Sequence, residues 1–479
     1  MKLHKKIGVF GNSLIYILMT VVQKGVAFLL LPLYTYLLLP EQYGIANIVS
    51  AIGSFYILLI SFAVDDAVAR YFFKFRDDLT RKQEFVGTIL IFEIGTSVTS
   101  FVVLLLFNSI FYRPFMPSSI ELKYIVVGVA IVSTTALYSV FQKVLIIQER
   151  ALHYAVNTLT YFLMNTGLTI LFIACLDMGA VGLLFATAIT NIVFFIYSLS
   201  YLRLQAKWCW KREFITFVFQ YSIHLIPNRL ASWGLQNFNK VFLGKMLTAA
   251  SVGIFNMGNN LASIISVFGN SFAFAYQPWI YSNLERGFPG KKKVSVIVNL
   301  STSFFIIMGL AIALFMADIF NLFISSSYRD SLIYIPMLVF GQVVSCFTVI
   351  SIYVLFYEDS MTKHISVSTL LGAATNILLC LVLIKPLGIM GTVIASAISQ
   401  CIMYIYMTTH INMVEGISIQ IKTPLMAASI CLIISSYCIL NNSVLWVKIV
   451  IFAVAVACFF ITQLENICLA LRFLTQEDG

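Results

Sequence analysis

The chain has 479 residues, of which 60% are apolar and only 10% charged, whereas a soluble domain usually has about 25% charged residues. Its formal net charge is +10, but basic residues in a membrane protein report first on the orientation of its loops, so this charge does not argue for a nucleic-acid partner. The composition excludes a soluble globular protein and predicts an all-α integral membrane protein without a sizeable soluble domain.

Apolar segments of the length that a membrane-spanning helix needs, roughly 20 residues, recur along the whole chain. The first follows the basic start MKLHKKIGVF, which resembles a signal peptide, but it continues without an obvious cleavage site and is interpreted as a retained helix. Charge clusters and turn residues divide the chain into about fourteen predicted spans, at residues 9–38, 43–69, 84–112, 123–147, 153–175, 180–202, 213–240, 252–282, 294–323, 331–357, 364–384, 389–411, 423–440 and 445–471.

The gaps between the predicted spans alternate between rich and poor in lysine and arginine. The N-terminus and the segments 70–82, 203–212 and 286–293 carry many of these residues. By the positive-inside rule, the basic gaps and both termini lie in the cytoplasm, which agrees with an even number of spans. Three basic residues remain inside the membrane, and they are Lys24, Arg229 and Lys240.

The sequence repeats itself at a constant offset of 209 residues. YGIAN, which contains Gly44, matches VGIFN, which contains Gly253, and MGAVGLLFATAI matches LGIMGTVIASAI. Tyr197 and Tyr406 keep the same offset. We therefore predict two parallel six-helix bundles, at residues 1–205 and 206–415, related by an axis along the membrane normal. Two additional transmembrane helices follow at 416–479.

Polar residues follow one face of four predicted spans. At about 100° per residue, the seventh span, which contains LIPNRLASWGLQNFNK, places Ser222, Arg229, Trp233, Gln236 and Lys240 in one narrow sector. The first, second and eighth spans have similar faces, formed by Ser13, Thr20 and Lys24, by Asn47, Ser54, Ser61 and Asp65, and by Asn256, Asn260, Ser263, Asn270 and Gln277. Since a charge deep in a bilayer costs from about 3 to more than 10 kcal/mol, these faces predict a hydrated cleft between the two halves.

The basic residues in the membrane leave two interpretations open. Arg229 either binds a ligand in the cleft or forms a structural ion pair with a carboxylate such as Glu93, and the same alternatives apply to Lys24. Lys240 lies nearer the outer interface, where it either faces the cleft or extends its ammonium group to the membrane surface.

Four further charged residues are candidates for gating or ion coupling. Asp66 and Arg70 are spaced i, i+4, which favours a local salt bridge. Asp65 shares the polar face of the second span, as a gate or a proton site. Glu93 lies inside the third span, where it either carries a proton or pairs with a base in the membrane. Pro227 and Pro278 are expected to bend the seventh and eighth helices.

Catalytic and metal-binding signals are not found in the sequence. There is no GxxxxGK[ST] loop to bind ATP, and no long external loop with clustered His, Asp or Glu. The nine cysteines show neither disulfide nor zinc spacing. We predict a protein that is not an enzyme and that has no cofactor or metal.

Two stretches resemble Wzx-type polysaccharide flippases. LLLPLYTYLLLPEQYGIANIVSAI is similar to their first helical hairpin, in which an apolar helix with proline precedes a loop ending in E-x-Y/F-G. YSIHLIPNRLASWGLQNFNKVFLGKMLTAASVGIFNMGNNLASI is similar to their seventh and eighth helices, with a proline, a tryptophan, a polar pair and a V-G-I-Y/F turn in order. Asn239 and Lys240 stand where the commoner pair is Asp-Arg, so no acidic role is carried over to that position.

The resemblance implies membership of the multidrug, oligosaccharidyl-lipid and polysaccharide exporter superfamily, with a V-shaped, MATE-like arrangement of the bundles. It implies a flippase that moves undecaprenyl-diphosphate-linked oligosaccharide, for O-antigen or another envelope glycan, across the bacterial inner membrane by alternating access. Lys24 and Arg229 would face the diphosphate or acidic sugars in a cationic cleft. Membrane lipids, a polysaccharide polymerase and a chain-length regulator are candidate partners, and proton or sodium coupling is a hypothesis that rests on Glu93, Asp65 and Asp66.

Two alternatives remain. A MATE-type antiporter of drugs and cations should present carboxylates in its cleft, where this sequence presents lysine and arginine. A membrane glycan polymerase or ligase should have a long catalytic outer loop, which the sequence lacks.

Overall fold

The computed structural model describes residues 28–74, 78–117, 120–358 and 361–475, together with single positions before residue 28. Most of the first predicted span, including Lys24, lies outside the described residues. The α-helices in chain order are α1 Leu31–Leu37, α2 Pro40–Ser61, α3 Val64–Lys74, α4 Leu79–Leu106, α5 Asn108–Phe111, α6 Leu122–Ile147, α7 Ala151–Ile170, α8 Gly179–Arg203, α9 Arg212–Ser222, α10 Ile226–Met246, α11 Ala249–Ala262, α12 Ile264–Leu284, α13 Phe288–Phe323, α14 Ile335–Tyr357, α15 Thr362–Leu387, α16 Ile389–Ile411, α17 Lys422–Leu440 and α18 Leu445–Thr475.

The described residues confirm the all-α membrane fold. Eleven helices are long and apolar enough to cross a membrane, or twelve when the bent pair α11 and α12 counts as one span. Each predicted span from the second to the fourteenth coincides with a helix or a broken helix. The protein is therefore a multi-pass membrane protein, whose backbone polar groups are satisfied within its helices as a bilayer requires.

The second, seventh and eighth predicted spans, which carry polar faces, are each broken between two helices. The second divides into α2 and α3 at Phe62 and Ala63, and the seventh divides into α9 and α10 at 223–225. Pro227 lies in the first turn of α10, where its lack of an N–H group is tolerated, so the break just before it agrees with the predicted bend. The eighth span bends by 40° between α11 and α12, whereas Pro278 lies inside α12. The bend lies at Ser263 and is therefore not the one predicted at Pro278.

The helices form two compact units, Met1–Gly253 and Ile254–Gly479. In the first unit a core of apolar side chains from α3, α4, α6 and α8 surrounds Phe85, Phe141 and Phe214. In the second unit the last two helices, α17 and α18, pack against Leu310 and Leu314 of α13, and Lys448 of α18 bonds Asp318 of α13 at 2.8 Å. The contacts assign α9 and α10 to the first unit, whereas the predicted duplication places its boundary at 205/206.

Some residues related by the offset of 209 have similar local geometry within each unit. Gly179 and Gly388, which are related by the offset of 209 residues, have φ angles of 55° and 59° just before or at the start of α8 and α16. The equivalent tyrosines also have similar partners, since Tyr197 bonds His153 at 2.8 Å and Tyr406 bonds His364 at 2.9 Å.

Candidate functional site

The site begins at two adjacent helix breaks in the first unit. Phe62 and Ala63 have φ angles of 47° and 53°, a left-handed backbone conformation that ends α2. Residues other than glycine rarely adopt this conformation. The hydroxyl of Ser222, the last residue of α9, donates to the carbonyl oxygen of Ala63 at 3.4 Å. The rings of Phe62 and Phe219 lie 4.5 Å apart. The breaks in the second and seventh spans therefore contact each other.

The short helices beyond these breaks, α3 and α9, also pack together. Tyr71 of α3 stacks on Phe217 of α9 with ring centroids 5.4 Å apart, and its hydroxyl donates to the carbonyl oxygen of Phe217 at 3.2 Å. Arg70 lies over the ring of Tyr221 at 5.0 Å. Cation–π contacts of this kind add to the aromatic packing. The helices α3 and α9 therefore form one small pair, which the two breaks separate from α2 and α10.

A network of four charged side chains joins α3, α6 and α10. Arg229, in the first turns of α10, donates through Nη2 to both carboxylate oxygens of Asp65 at 3.1 Å, and it also contacts Asp66. Lys143 of α6 donates to the other oxygen of Asp66 at 2.9 Å. The Arg229 side chain is 30% exposed and that of Asp65 is 16% exposed. Two positive and two negative groups compensate each other, so the charge at Arg229 is balanced in this conformation.

Helix geometry explains where the acidic pair lies. Asp65 and Asp66 occupy the first turn of α3, where carboxylates interact favourably with the positive end of the helix dipole. Because α3 starts again after the break, its first turn faces α10 and α6, and both carboxylates meet cations from other helices.

A polar cavity of about 290 Å³ extends from the charge network. Its wall includes hydroxyl, amide, carboxylate, guanidinium and indole groups, together with apolar side chains, from Ser54, Ile57, Leu58, Ser61, Asp65, Ala136, Ser139, Val140, Arg229, Ser232, Trp233, Gln236 and Asn237. The Trp233 indole is fixed, because its Nε1 donates to the carbonyl oxygen of Ala51 at 3.1 Å and to Ser54 Oγ at 3.0 Å. Phe55 packs on it with ring centroids 4.9 Å apart. The cavity thus combines one ion-paired arginine with hydrogen-bonding groups and an aromatic edge.

The structure brings most of the predicted polar face together, but by a different route. The prediction assumed continuous helices, whereas Asp65 and Ser222 lie across breaks from the rest of their faces. Asp65, Arg229, Trp233 and Gln236 nevertheless line the same cavity. The hydroxyl of Ser222 instead donates to the carbonyl oxygen of Ala63, at the break in the second span.

Two expected ion-pair partners differ from those in the structure, although Arg229 does form an ion pair with carboxylates. Asp66 pairs with Lys143 and Arg229, while Arg70 stacks on Tyr221, so the local Asp66–Arg70 bridge is replaced by contacts between helices. Glu93 is not the partner of Arg229. It is fully buried in α4, and neither of its carboxyl oxygens has a hydrogen-bond partner in the part of the chain that the structure describes.

Lys143 was missed by sequence reasoning. It lies inside the predicted span 123–147, and that position is the signal that could have identified it. Lys240 lies farther along α10, where its ammonium group donates to Asn237 Oδ1 at 3.5 Å.

The predicted residues of the eighth span are found mainly in the second unit. Asn270 donates to the carbonyl oxygen of Ser266 at 2.6 Å, and Gln277 donates to the hydroxyl of Tyr281 at 3.3 Å. Asn256 is buried and Asn260 is half-buried. Their roles in binding remain predictions.

Solved structures with similar folds are membrane transporters. The lipid II flippase MurJ in an inward closed conformation aligns with a TM-score of 0.71 at 13% identity, covering 95% of this chain and 99% of MurJ. An inward-facing MATE family multidrug resistance transporter of the MOP superfamily aligns with a TM-score of 0.61 at 15% identity, covering 81% of this chain and 95% of that protein. At these identities the likeness shows the fold.

Sequence comparison identifies the family. An uncharacterized membrane protein of Haemophilus influenzae is 25% identical over 287 residues, which cover 58% of this chain and 66% of that protein. The match thus spans just under two thirds of the relative's length. The family described as polysaccharide biosynthesis protein matches residues 9–284, more than half of the chain, and this range includes both stretches that carry the predicted resemblance. The chain belongs to the polysaccharide biosynthesis protein family.

Proposed function

We propose that this protein is a flippase that moves an undecaprenyl-diphosphate-linked oligosaccharide across the bacterial inner membrane, with both termini in the cytoplasm. The observation that carries the proposal is the polar cavity beside Arg229, because it places an arginine, an indole and several hydrogen-bonding groups inside an apolar helical protein. The family and the fold shared with a flippase support a transport role rather than catalysis.

Each part of such a substrate has a matching chemical group. A guanidinium group binds phosphate oxygens in a bidentate manner, and its attraction to a diphosphate is stronger in a low-dielectric cavity than in water. Ser, Asn and Gln side chains offer hydrogen bonds to sugar hydroxyls, and Trp233 offers an apolar edge. The lipid tail stays in the bilayer. Alternating access moves the headgroup by opening the cavity first to one side and then to the other.

Lipid mass spectrometry of a host strain tests this proposal. With the gene deleted, we expect the lipid-linked oligosaccharide to accumulate and the surface glycan to fall. The wild-type gene should reverse both changes, and Arg229→Ala at matched protein level should reverse neither. Unchanged lipid-linked glycan in the deletion strain would contradict the flippase.

A MATE-type cation antiporter is the second candidate, because Asp65 lines the cavity and a carboxylate is what an organic cation requires. In this structure, however, the Asp65 carboxylate is paired with Arg229. An antiporter predicts that the deletion strain becomes sensitive to cationic drugs while its lipid-linked glycan stays unchanged, so the same strains distinguish the two functions.

A further inference from the structure

Arg229 holds the chain's own acids through one nitrogen of its guanidinium group, Nη2. Its guanidinium group contacts both oxygens of Asp65 and one oxygen of Asp66. These are the contacts by which arginine recognises carboxylate and phosphate groups, and they are stronger than hydrogen bonds between neutral groups. An external anion that binds through Nη2 therefore competes with Asp65 and Asp66.

The acidic pair resembles the ligand class that the proposed function requires. Two consecutive carboxylates present four oxygens and two negative charges on a short stretch of backbone, and a diphosphate presents several anionic oxygens on two linked phosphorus atoms. Lys143 binds the oxygen of Asp66 that faces away from Arg229. The pair is thus held between two cations from different helices, as a diphosphate would be.

We infer that Asp65 and Asp66 are an internal ligand, which occupies the site at Arg229 and Lys143 that a diphosphate headgroup takes during transport. The inference rests on the proposed function and adds to it a competition between the substrate and the chain. While the carboxylates hold Arg229, α3 is tied to α6 and α10. When a diphosphate replaces them, that tie is broken and α3 is released.

The backbone provides a way for the acids to leave. Asp65 is the second residue of α3, and only Val64 separates it from the left-handed residues Phe62 and Ala63. A rotation at these two residues would swing both carboxylates away from Arg229 without disturbing α2, which ends at Ser61. Such strained residues persist only where the surrounding structure holds them, and here the Ser222 hydrogen bond and the Phe219 ring hold them.

The displaced acids retain neighbours. Asp66 stays beside Asp65 when both carboxylates leave Arg229 and Lys143. The groups that face Asp65 are Arg229 and Asp66, with the buried Glu93 within electrostatic range. Release of Arg229 leaves Asp65 near Glu93 without its cation, which favours return of the acids to Arg229 once the diphosphate has left. In both states Arg229 and Lys143 therefore have an anionic partner, which is the acidic pair in one state and the diphosphate in the other. A buried cation without any partner would be far more costly.

Binding of inorganic diphosphate to the purified protein in nanodiscs tests the competition. Removal of an internal competitor raises the fraction of sites that can bind, and apparent affinity rises in proportion. We expect Asp65→Asn/Asp66→Asn to bind diphosphate at least about tenfold more tightly than the wild type, as measured by calorimetry. Adding Arg229→Ala to this variant should abolish the gain. Asp177→Asn, which removes a charge at an exposed position outside the network, should bind like the wild type.

The experiment has clear contrary outcomes. Equal affinity of the double variant and the wild type, or a gain that survives Arg229→Ala, would overturn the internal-ligand inference while the lipid analysis of the deletion strain still decides the flippase function. If the double variant does not fold, Asp66→Asn alone should show a smaller gain, because Asp65 still competes. Absence of any gain in a folded single variant would likewise overturn the inference.

A second measurement follows the movement of α3. Spin labels at Lys74 of α3 and Ile146 of α6, both exposed, report the distance between these helices. We expect inorganic diphosphate to change that distance in the wild type, and the double variant to show the changed distance without ligand. An unchanged distance in both would show that the acids do not tie α3 to α6.

Discussion

Arg229 determines the electrostatics of the cavity, because three hydrogen bonds from one guanidinium group link α10 to both acidic residues of α3. The polar face of the seventh span identified this residue, since a charge among apolar residues needs a partner or a cavity. Its partners could not be read from the sequence. Glu93 was the carboxylate deepest in a predicted span, whereas Asp65 and Asp66 are brought to Arg229 by a break in the second span.

A double-mutant cycle on Arg229→Met and Asp65→Asn should show that the two side chains are coupled. We expect each single variant to lower stability and the double variant to recover part of the loss, with an interaction free energy of about 1–3 kcal/mol. Thermal unfolding in one detergent gives the comparison. The exposed pair Lys123 and Glu121, whose side chains are 50% and 64% exposed, serves as the control and should show no measurable coupling. Additive effects of Arg229→Met and Asp65→Asn would contradict the ion pair.

The paired helix breaks are the feature at the scale of elements. The sequence of residues 43–69 predicts one continuous apolar helix. In the structure, two left-handed residues divide this segment into α2 and α3. No glycine or proline marks this break. Phe62 and Ala63 adopt the conformation because tertiary contacts, the Ser222 hydrogen bond and the packing of α3 on α9, favour it over a continuous helix. The break in the seventh span is different, since Pro227, in the first turn of α10, is a sequence signal for it.

Ala63→Gly tests whether the break in the second span is strained. A left-handed residue with a side chain costs about 1–2 kcal/mol, so glycine should raise the thermal midpoint even though Ala63 is buried. Ala130→Gly, inside the regular helix α6, is the matched control and should lower stability by about 0.5–1 kcal/mol. The two substitutions remove the same methyl group but should have opposite signs. A loss of stability in both variants would show that Ala63 carries no strain.

At the scale of the whole molecule, the internal repeat forms a reciprocal contact. A Cβ atom on Gly44 would lie 1.7 Å from the carbonyl oxygen of Ala249, and a Cβ atom on Gly253 would lie 2.0 Å from that of Pro40. The offset of 209 residues relates both the two glycines and the two carbonyl residues. Gly44 therefore packs against Ala249 in the same way as Gly253 packs against Pro40, and all four residues lie in the first unit. This contact gives a physical reason for glycine at both positions.

Gly44→Ala should disrupt this close approach. The added methyl group forces the backbone segments apart, and overpacking of this kind costs about 1–3 kcal/mol. Gly253→Ala should have a similar effect, because its contact is the reciprocal one. Gly167→Ala in α7 is the control, because among the described residues no atom outside the adjoining helix backbone lies within 4 Å of an added Cβ atom. This variant should be neutral or stabilising by up to about 1 kcal/mol. Equal thermal midpoints for Gly44→Ala and Gly167→Ala would argue against a tight contact.

The sequence by itself determined the membrane fold, the position of each described span and the placement of Arg229, Trp233 and Gln236 on one helix face. These features follow from local properties, namely apolar length, helical period and the cost of charge in a bilayer. Tertiary structure alone decided that Asp65 and Asp66 bind Arg229, that Lys143 completes the network and that Glu93 is left without a hydrogen-bond partner among the described residues. The reason is that ion pairs between helices depend on where the helices break and cross, and Phe62 and Ala63 carry no local signal of a break.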